Sequence, residues 1–172
     1  MSALEVSQEL LDVVDENDEV VSVKTRGEIH AKKLMHRAVH ILVFNYQGDL
    51  FIQKRSLNKD ECPGLWDTSA AGHVDSGEDY ASCAIRELFE ELGVIVKSPL
   101  ECLFKLQPEM PNGMEHVTVY SYVDEGPFEL QKEEIDEGKW ISKSEMDQRV
   151  GSADPTLTQV VCQIWRKYRQ FK

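Results

Sequence analysis

The residues best equipped for chemistry in this chain sit in Arg86-Glu87-Leu88-Phe89-Glu90-Glu91-Leu92-Gly93. Three carboxylates, Glu87, Glu90 and Glu91, fall within five positions of a segment that reads as a helix. Side chains three and four apart on a helix are neighbours, and like charges there cost roughly 0.2–0.5 kcal/mol per pair. The cluster is therefore either an ordinary solvated acidic face or a seat for something positive. Arg86 stands four residues before Glu90 and can pair with a carboxylate and fix its rotamer. On a helical wheel Ala81, Ile85, Leu88 and Leu92 form the stripe expected to be buried. Glu87 and Glu91 fall on the far side, with Glu90 beside them. Ser76 is the expected N-cap, with Asp79 three residues on, and Gly93 marks the stop.

The elements that must position this helix are strands. Residues 36–45 (HRAVHILVFN) and 49–56 (DLFIQKRS) flank Tyr-Gln-Gly and predict a hairpin. Residues 67–74 (DTSAAGHV) predict a short strand of small residues that others can approach closely. Two short strands around an Asp/Glu/Asn-rich turn are expected before residue 30. Further strands are expected over LECLFKLQP, EHVTVYSYV and GKWIS, with a terminal helix from Thr156 to Phe171 carrying Leu157, Val160, Val161, Ile164 and Tyr168 on one face. The second of these strands alternates Val117, Val119, Ser121 and Val123 against Thr118, Tyr120 and Tyr122. Many strands with one central and one terminal helix predict an α/β (α+β) sandwich with a mixed sheet. The chain reads as one domain over residues 1–172, with residues 1–30 as an N-terminal strand or hairpin extension.

Composition narrows the function classes. The 172 residues carry a formal net charge of −12, which argues against a nucleic-acid polymer as partner. Lys24, Arg26, Lys32, Lys33 and Arg37, and then Lys54, Arg55 and Lys59, are local basic groups. They are solvated ends of loops and strands, or a positive rim for a small anion. Cys62, Cys83, Cys102 and Cys162 form no CxxC pair, which suits a reducing compartment. No signal peptide and no apolar run of membrane-spanning length is read, so the expectation is a cytoplasmic protein.

Spacing upstream of the glutamates decides between the two readings of the cluster. Gly72, five residues, Glu78, seven residues, then Arg86 to Val94 match G-x5-E-x7-R-E-U-x-E-E-x-G-U, with U aliphatic, over 23 residues. On this motif the chain resembles the Nudix hydrolase family. The resemblance implies an α/β/α sandwich in which a loop–helix–loop holds divalent metal. It implies that Glu87, Glu90 and Glu91 are metal-binding carboxylates, that Gly72 offers its carbonyl, and that Glu78 and Arg86 brace them. Such oxygen donors suit Mg²⁺, with Mn²⁺ the alternative. The implied activity is hydrolysis of a diphosphate linkage in a small molecule such as a nucleoside diphosphate derivative. Glu90 is the first choice for general base, with Glu115, Glu133 and Glu134 outside the motif. Lys54 and Arg55 are the expected phosphate contacts, and a homodimer is compatible with the family.

A looser resemblance covers residues 10–142. The order HRAVHILVFN, LFIQKRS, CPGLWDTSAAGHV, KEEIDEGKW is similar to the branch related to isopentenyl diphosphate isomerase. That chemistry needs a thiol where this chain has Ala71, which opposes isomerase activity. The isomerases also bind a metal through histidines and glutamates, and His36, His73 and Glu115 fall at similar places, with His30 less well aligned. The plainer expectation is that His36 and His40 cap or flank a strand and that His73 bonds within its loop. A non-catalytic nucleotide-binding module is a third class, opposed by the complete set of motif glutamates.

Overall fold

The structure is a computed structural model that describes residues 8–171. Its elements in chain order are β1 (Leu10–Val14), β2 (Val20–Thr25), α1 (Arg26–Lys32), β3 (His36–Phe44), β4 (Leu50–Arg55), β5 (Trp66–Asp67) and β6 (Ala70–His73). These are followed by α2 (Tyr80–Leu92), β7 (Glu101–Leu106), β8 (Glu115–Val123), β9 (Ile135–Ile141), α3 (Lys143–Gly151) and α4 (Gln159–Phe171).

β3 is the axis of the fold. It runs parallel to β8 along its whole length, from His36 opposite Glu115 to Phe44 opposite Val123. The β3–β4 hairpin closes on a single pair, Phe44 with Leu50. Beyond it β4 leaves to pair antiparallel with β9 and β5, and β6 takes over the vacated edge of β3. Ser69 closes the gap where the strands part. Its hydroxyl donates to the carbonyl of Phe51 at 2.5 Å and accepts from the amide of Val43 at 2.7 Å.

Alternation along the strands sorts apolar side chains to two faces, and both are covered. Ala38, Leu42, Ile52, Val117 and Val119 pack under α3 and α4 with Met146, Val161, Ile164 and Trp165. Val39, Ile41, Val43, Tyr120 and Tyr122 pack under α2 with Ala84, Leu88 and Leu92. The result is a helix–sheet–helix sandwich on a mixed sheet. The alternation read in β8 thus separates two cores rather than core from water. A small third cluster, Leu11, Val13 and Ile29 with Leu34 against it, lies under the N-terminal hairpin and α1.

Two helices join the two that were expected. Thr25 caps α1 by accepting from the amide of Glu28, and Ser142 caps α3 by accepting from the amide of Glu145. Both are Ser/Thr-x-x-Glu stretches, a helix-start signal that stands in the sequence. The start of α2 also needs correction. Its N-cap is Asp79, which accepts from the amide of Ser82 at 2.8 Å. Ser76 instead donates its hydroxyl to Asp12 at 2.7 Å, and Gly77, with φ of +82°, turns the chain before the helix begins. Among the described residues no helix is long and apolar enough to cross a membrane.

Candidate active site

α2 presents its carboxylates differently from the wheel. Its buried residues are Cys83, Ala84, Glu87, Leu88, Glu91 and Leu92, whereas Ala81 is exposed and Ile85 is 44% exposed. Glu87 and Glu91 go under with Leu88, toward Gln53 and the Ala71 amide, while Glu90 stays exposed. The expected stripe is corrected accordingly. The helix ends where Gly93 turns left-handed with φ of +68°.

Arg86 gathers the loop and the helix. Its Nε donates to Glu78 Oε1 at 3.0 Å and its Nη2 to Glu78 Oε2 at 2.8 Å, a two-point fork. Nη1 donates to Glu87 at 2.6 Å and to Glu90 at 3.2 Å, and Nη2 also reaches the carbonyl of His73 at 3.1 Å. Burial raises the Glu78 carboxyl, but the Arg86 fork outweighs it and holds Glu78 below its ordinary value.

Glu91 is anchored from the sheet. Its Oε2 accepts from Gln53 Nε2 at 2.8 Å and from the amide of Ala71 at 3.2 Å. Burial pushes its carboxyl up to about 7 against the pull of Lys59, Gln53 and the Ala71 amide. Glu87 is raised well above its ordinary value by burial and then by the charge of Glu91, with Arg86 opposing. Gly72 lies directly against this pair. A Cβ there would meet Glu87 Oε1 at 2.0 Å, so the position admits no side chain while Glu87 holds this rotamer.

These residues fit a divalent cation. Two buried carboxyls, Glu87 on Arg86 and Glu91 on Gln53 and the Ala71 amide, resist ionisation, and a cation reverses that resistance. The donors available are carboxylate oxygens and the neighbouring backbone carbonyl, which suit a hard ion.

A second cluster adjoins the first. The ring centroids of His30, His36 and His73 lie 5.0–5.5 Å apart, and one donor atom from each falls within 4.8 Å of the others. His36 Nδ1 donates to the carbonyl of Leu34 at 2.9 Å, which leaves Nε2 outside that bond. That atom is buried without a hydrogen-bond partner, 3.5 Å from Glu115 Oε1. The same oxygen lies 3.1 Å from His73 Nε2. Burial raises Glu115, yet its contacts with His36 and His73 outweigh that and keep it ionised. Burial also lowers His73 to about 4 despite Glu115. His30, on α1, joins a set that sequence alone aligned poorly. α1 itself was not foreseen.

The motif glutamates border a cavity of about 1050 Å³, which the second cluster reaches through His73 and Glu115. Arg55, Glu115 and Glu134 line it with the motif glutamates. Lys54, one residue earlier on β4, alternates to the other face of the strand and is not among the lining residues. Glu133 is not among them either. Sequence reasoning passed over Gln53, named Arg26 and Lys59 only within the two basic groups, and read His40 as flanking a strand. The alternation of β4 places Gln53 with Phe51 and Arg55 on one side, a signal that was available for Gln53. Lys59 is bound to Glu134 by an ion pair across the mouth.

Fold and site together define a metal-dependent hydrolase class. The NUDIX domain model matches residues 34–160, and the chain belongs to the Nudix hydrolase family, whose members use divalent metals. It is 37% identical to an uncharacterized Nudix hydrolase of Yersinia pestis over 86% of this chain and 80% of that protein. It is 38% identical to one of Pseudomonas aeruginosa over 77% of this chain and 78% of that protein. Its fold matches the crystal structure of DR0079 from Deinococcus radiodurans with a TM-score of 0.82 at 28% identity, covering 92% of this chain and 98% of that one. The NUDIX domain of Shewanella oneidensis NrtR, solved with ADP ribose, shares the fold at 19% identity and a TM-score of 0.61, covering 86% and 98%.

Proposed function

We propose that this protein is a Mg²⁺-dependent pyrophosphohydrolase, with Mn²⁺ as the alternative ion, that cleaves a diphosphate linkage in a nucleoside diphosphate derivative or related small organic diphosphate. The observation that carries the reading is the buried Glu87–Glu91 pair against Gly72. Held by Glu87, Glu90, Glu91 and the Gly72 carbonyl, the ion would neutralise diphosphate oxygens and acidify water. Arg86 and Glu78 position the glutamates. Glu90, exposed on the flank of α2, is the first choice to take the proton from the attacking water, with Glu115 and Glu134 in reach of the same cavity. Arg55, Lys59 and Arg26 supply the positive side of the cavity. β1 and β2 precede the match that begins at residue 34, which supports reading residues 8–30 as an extension of one domain, while residues 1–7 of that reading lie outside the described residues.

The test is a panel of nucleoside di- and triphosphates, nucleotide sugars, ADP ribose and isopentenyl diphosphate with Mg²⁺, read by released phosphate or monophosphate. Cleavage that persists unchanged in both Glu87→Gln and Glu91→Gln would sink the assignment.

A second reading rests on His36. His36 Nε2, buried without a hydrogen-bond partner, and His73 Nε2 both face Glu115 Oε1, at 3.5 Å and 3.1 Å, and one ring nitrogen from each of His30, His36 and His73 lies within 4.8 Å of the others. We therefore infer that His30, His36, His73 and Glu115 form a second metal site, as in an isomerase-like enzyme. Ala71 still opposes proton shuttling there. Double-bond movement in isopentenyl diphosphate would favour this reading. Failure of Mn²⁺ or Zn²⁺ to bind with loss on His36→Ala would remove the site.

A further inference from the structure

We infer that His40 is a specificity-determining residue whose Nε2 accepts a hydrogen bond from a hydroxyl on the non-phosphate part of the substrate. This rests on the diphosphate reading above but goes beyond the residues that perform the cleavage.

The argument begins with the ring's other nitrogen. His40 stands on β3 and is 5% exposed. Its Nδ1 lies 2.7 Å from the hydroxyl oxygen of Thr68, and that hydroxyl lies 3.3 Å from the carbonyl of Ala70. The Thr68 proton has an acceptor in Ala70, so the Thr68 oxygen is free to accept. Asp67 Oδ1 lies 3.9 Å from the same Nδ1. Every neighbour of Nδ1 therefore favours a proton on it. Burial lowers the ring's pKa more than Asp67 raises it, so His40 stays neutral with a single ring proton. The tautomer is set, and Nε2 is left as a bare acceptor.

Nε2 has no hydrogen-bond partner among the described residues, and His40 lines the cavity. A satisfied core histidine would spend both nitrogens on the protein. His40 spends one, and the cavity it lines is also lined by Thr158 and Gln163 of the terminal segment. Gln163 Oε1 is buried without a partner. An amide can turn end for end and so accepts or donates, whereas His40 is locked as an acceptor. What docks there must bring a donor. A hydroxyl satisfies His40 and can answer either end of Gln163. A prenyl chain has no donor and would leave both groups desolvated and unpaired, the situation in which a site discriminates most strongly.

The experiment compares ADP, 2′,3′-dideoxy-ADP and isopentenyl diphosphate as substrates and, by calorimetry, as ligands of the whole chain with Mg²⁺. His40→Leu and His40→Gln are measured beside it. The unaltered chain should favour ADP over the dideoxy analogue by about tenfold or more, mainly in KM or Kd rather than kcat. His40→Leu should bring that ratio close to one, and His40→Gln should retain part of it. An unchanged ratio in folded His40→Leu overturns the inference, as does isopentenyl diphosphate binding as tightly as ADP. Should His40→Leu not fold, a ratio near one in the unaltered chain is enough to overturn it. Preference in binding without cleavage of either nucleotide would defeat the hydrolase reading and leave this one standing. Cleavage of both without preference does the reverse.

Discussion

At the scale of single residues the site is a set of charges held where they are not stable alone. Glu91 makes this measurable. Its folded carboxyl sits at about 7 against an ordinary 4.5, so the folded state binds the extra proton across that window. Stability of the metal-free chain from this group therefore falls as pH rises from about 4.5 through about 7. His73, lowered to about 4, pulls the other way over an overlapping window, because its protonation favours unfolding. The difference between variants separates them. Glu91→Gln should be more stable than the unaltered chain at pH 7.5 without metal, and the gap should close by pH 4.5. Melting midpoints across pH check this, and added Mg²⁺ should raise the midpoint of the unaltered chain much more than that of Glu91→Gln. Arg86 gives a second prediction. Lysine cannot reproduce a fork that reaches Glu78 at two points and also Glu87, Glu90 and the His73 carbonyl. Arg86→Lys should lower kcat/KM on the order of 10- to 100-fold with the fold intact, judged by circular dichroism beside kinetics.

At the scale of elements, β6 and α2 meet so closely that one glycine decides the contact. Gly72→Ala should displace Glu87, lower the melting midpoint by the equivalent of about 1–3 kcal/mol, and weaken Mg²⁺ affinity more than it weakens folding. Isothermal titration with Mg²⁺ and thermal unfolding on the same preparation test both halves. The spacing from Gly72 to Val94 made the motif legible without a structure, because a loop–helix–loop around a cation constrains residue types at fixed intervals. The burial of Glu87 and Glu91 was not legible. A wheel sorts residues by polarity, and here the sheet edge supplies Gln53 and the Ala71 amide, so carboxyls take buried positions. Ile85 is displaced outward for the same reason. Lys54 and Arg55 differ only in parity on β4, and the hairpin signal did not say which face the cavity would take. The helices α1 and α3 were written in Thr25-x-x-Glu28 and Ser142-x-x-Glu145, local signals outweighed by basic or polar surroundings.

At the scale of the whole molecule, the cavity belongs to both layers. α2 and β6 bring the glutamates, while the segment leading into α4 and α4 itself bring Leu157, Thr158, Cys162 and Gln163. Packing in the distant layer should therefore reach the chemistry. Trp165 is 1% exposed, packs among Leu42, Ile52 and Ile164, and donates to Asp147 at 2.8 Å. Trp165→Ala should cost about 3–5 kcal/mol and raise KM where the protein remains folded, because α4 is no longer held against the sheet. Denaturant unfolding and kinetics at a low temperature measure the two effects. β3 joins the layers more tightly than any helix does. His36, Ala38 and His40 alternate along it with Val39, Ile41 and Val43. Insertion of one residue between His36 and Val43 would exchange these two rows, sending imidazoles into the layer under α2 and valines to the face that carries Ala38 and Leu42. Insertion in the Tyr46–Gly48 turn would leave both rows in place. Natural relatives and engineered libraries should therefore show length variation in the turn and none in the strand, whatever substitutions they carry in either.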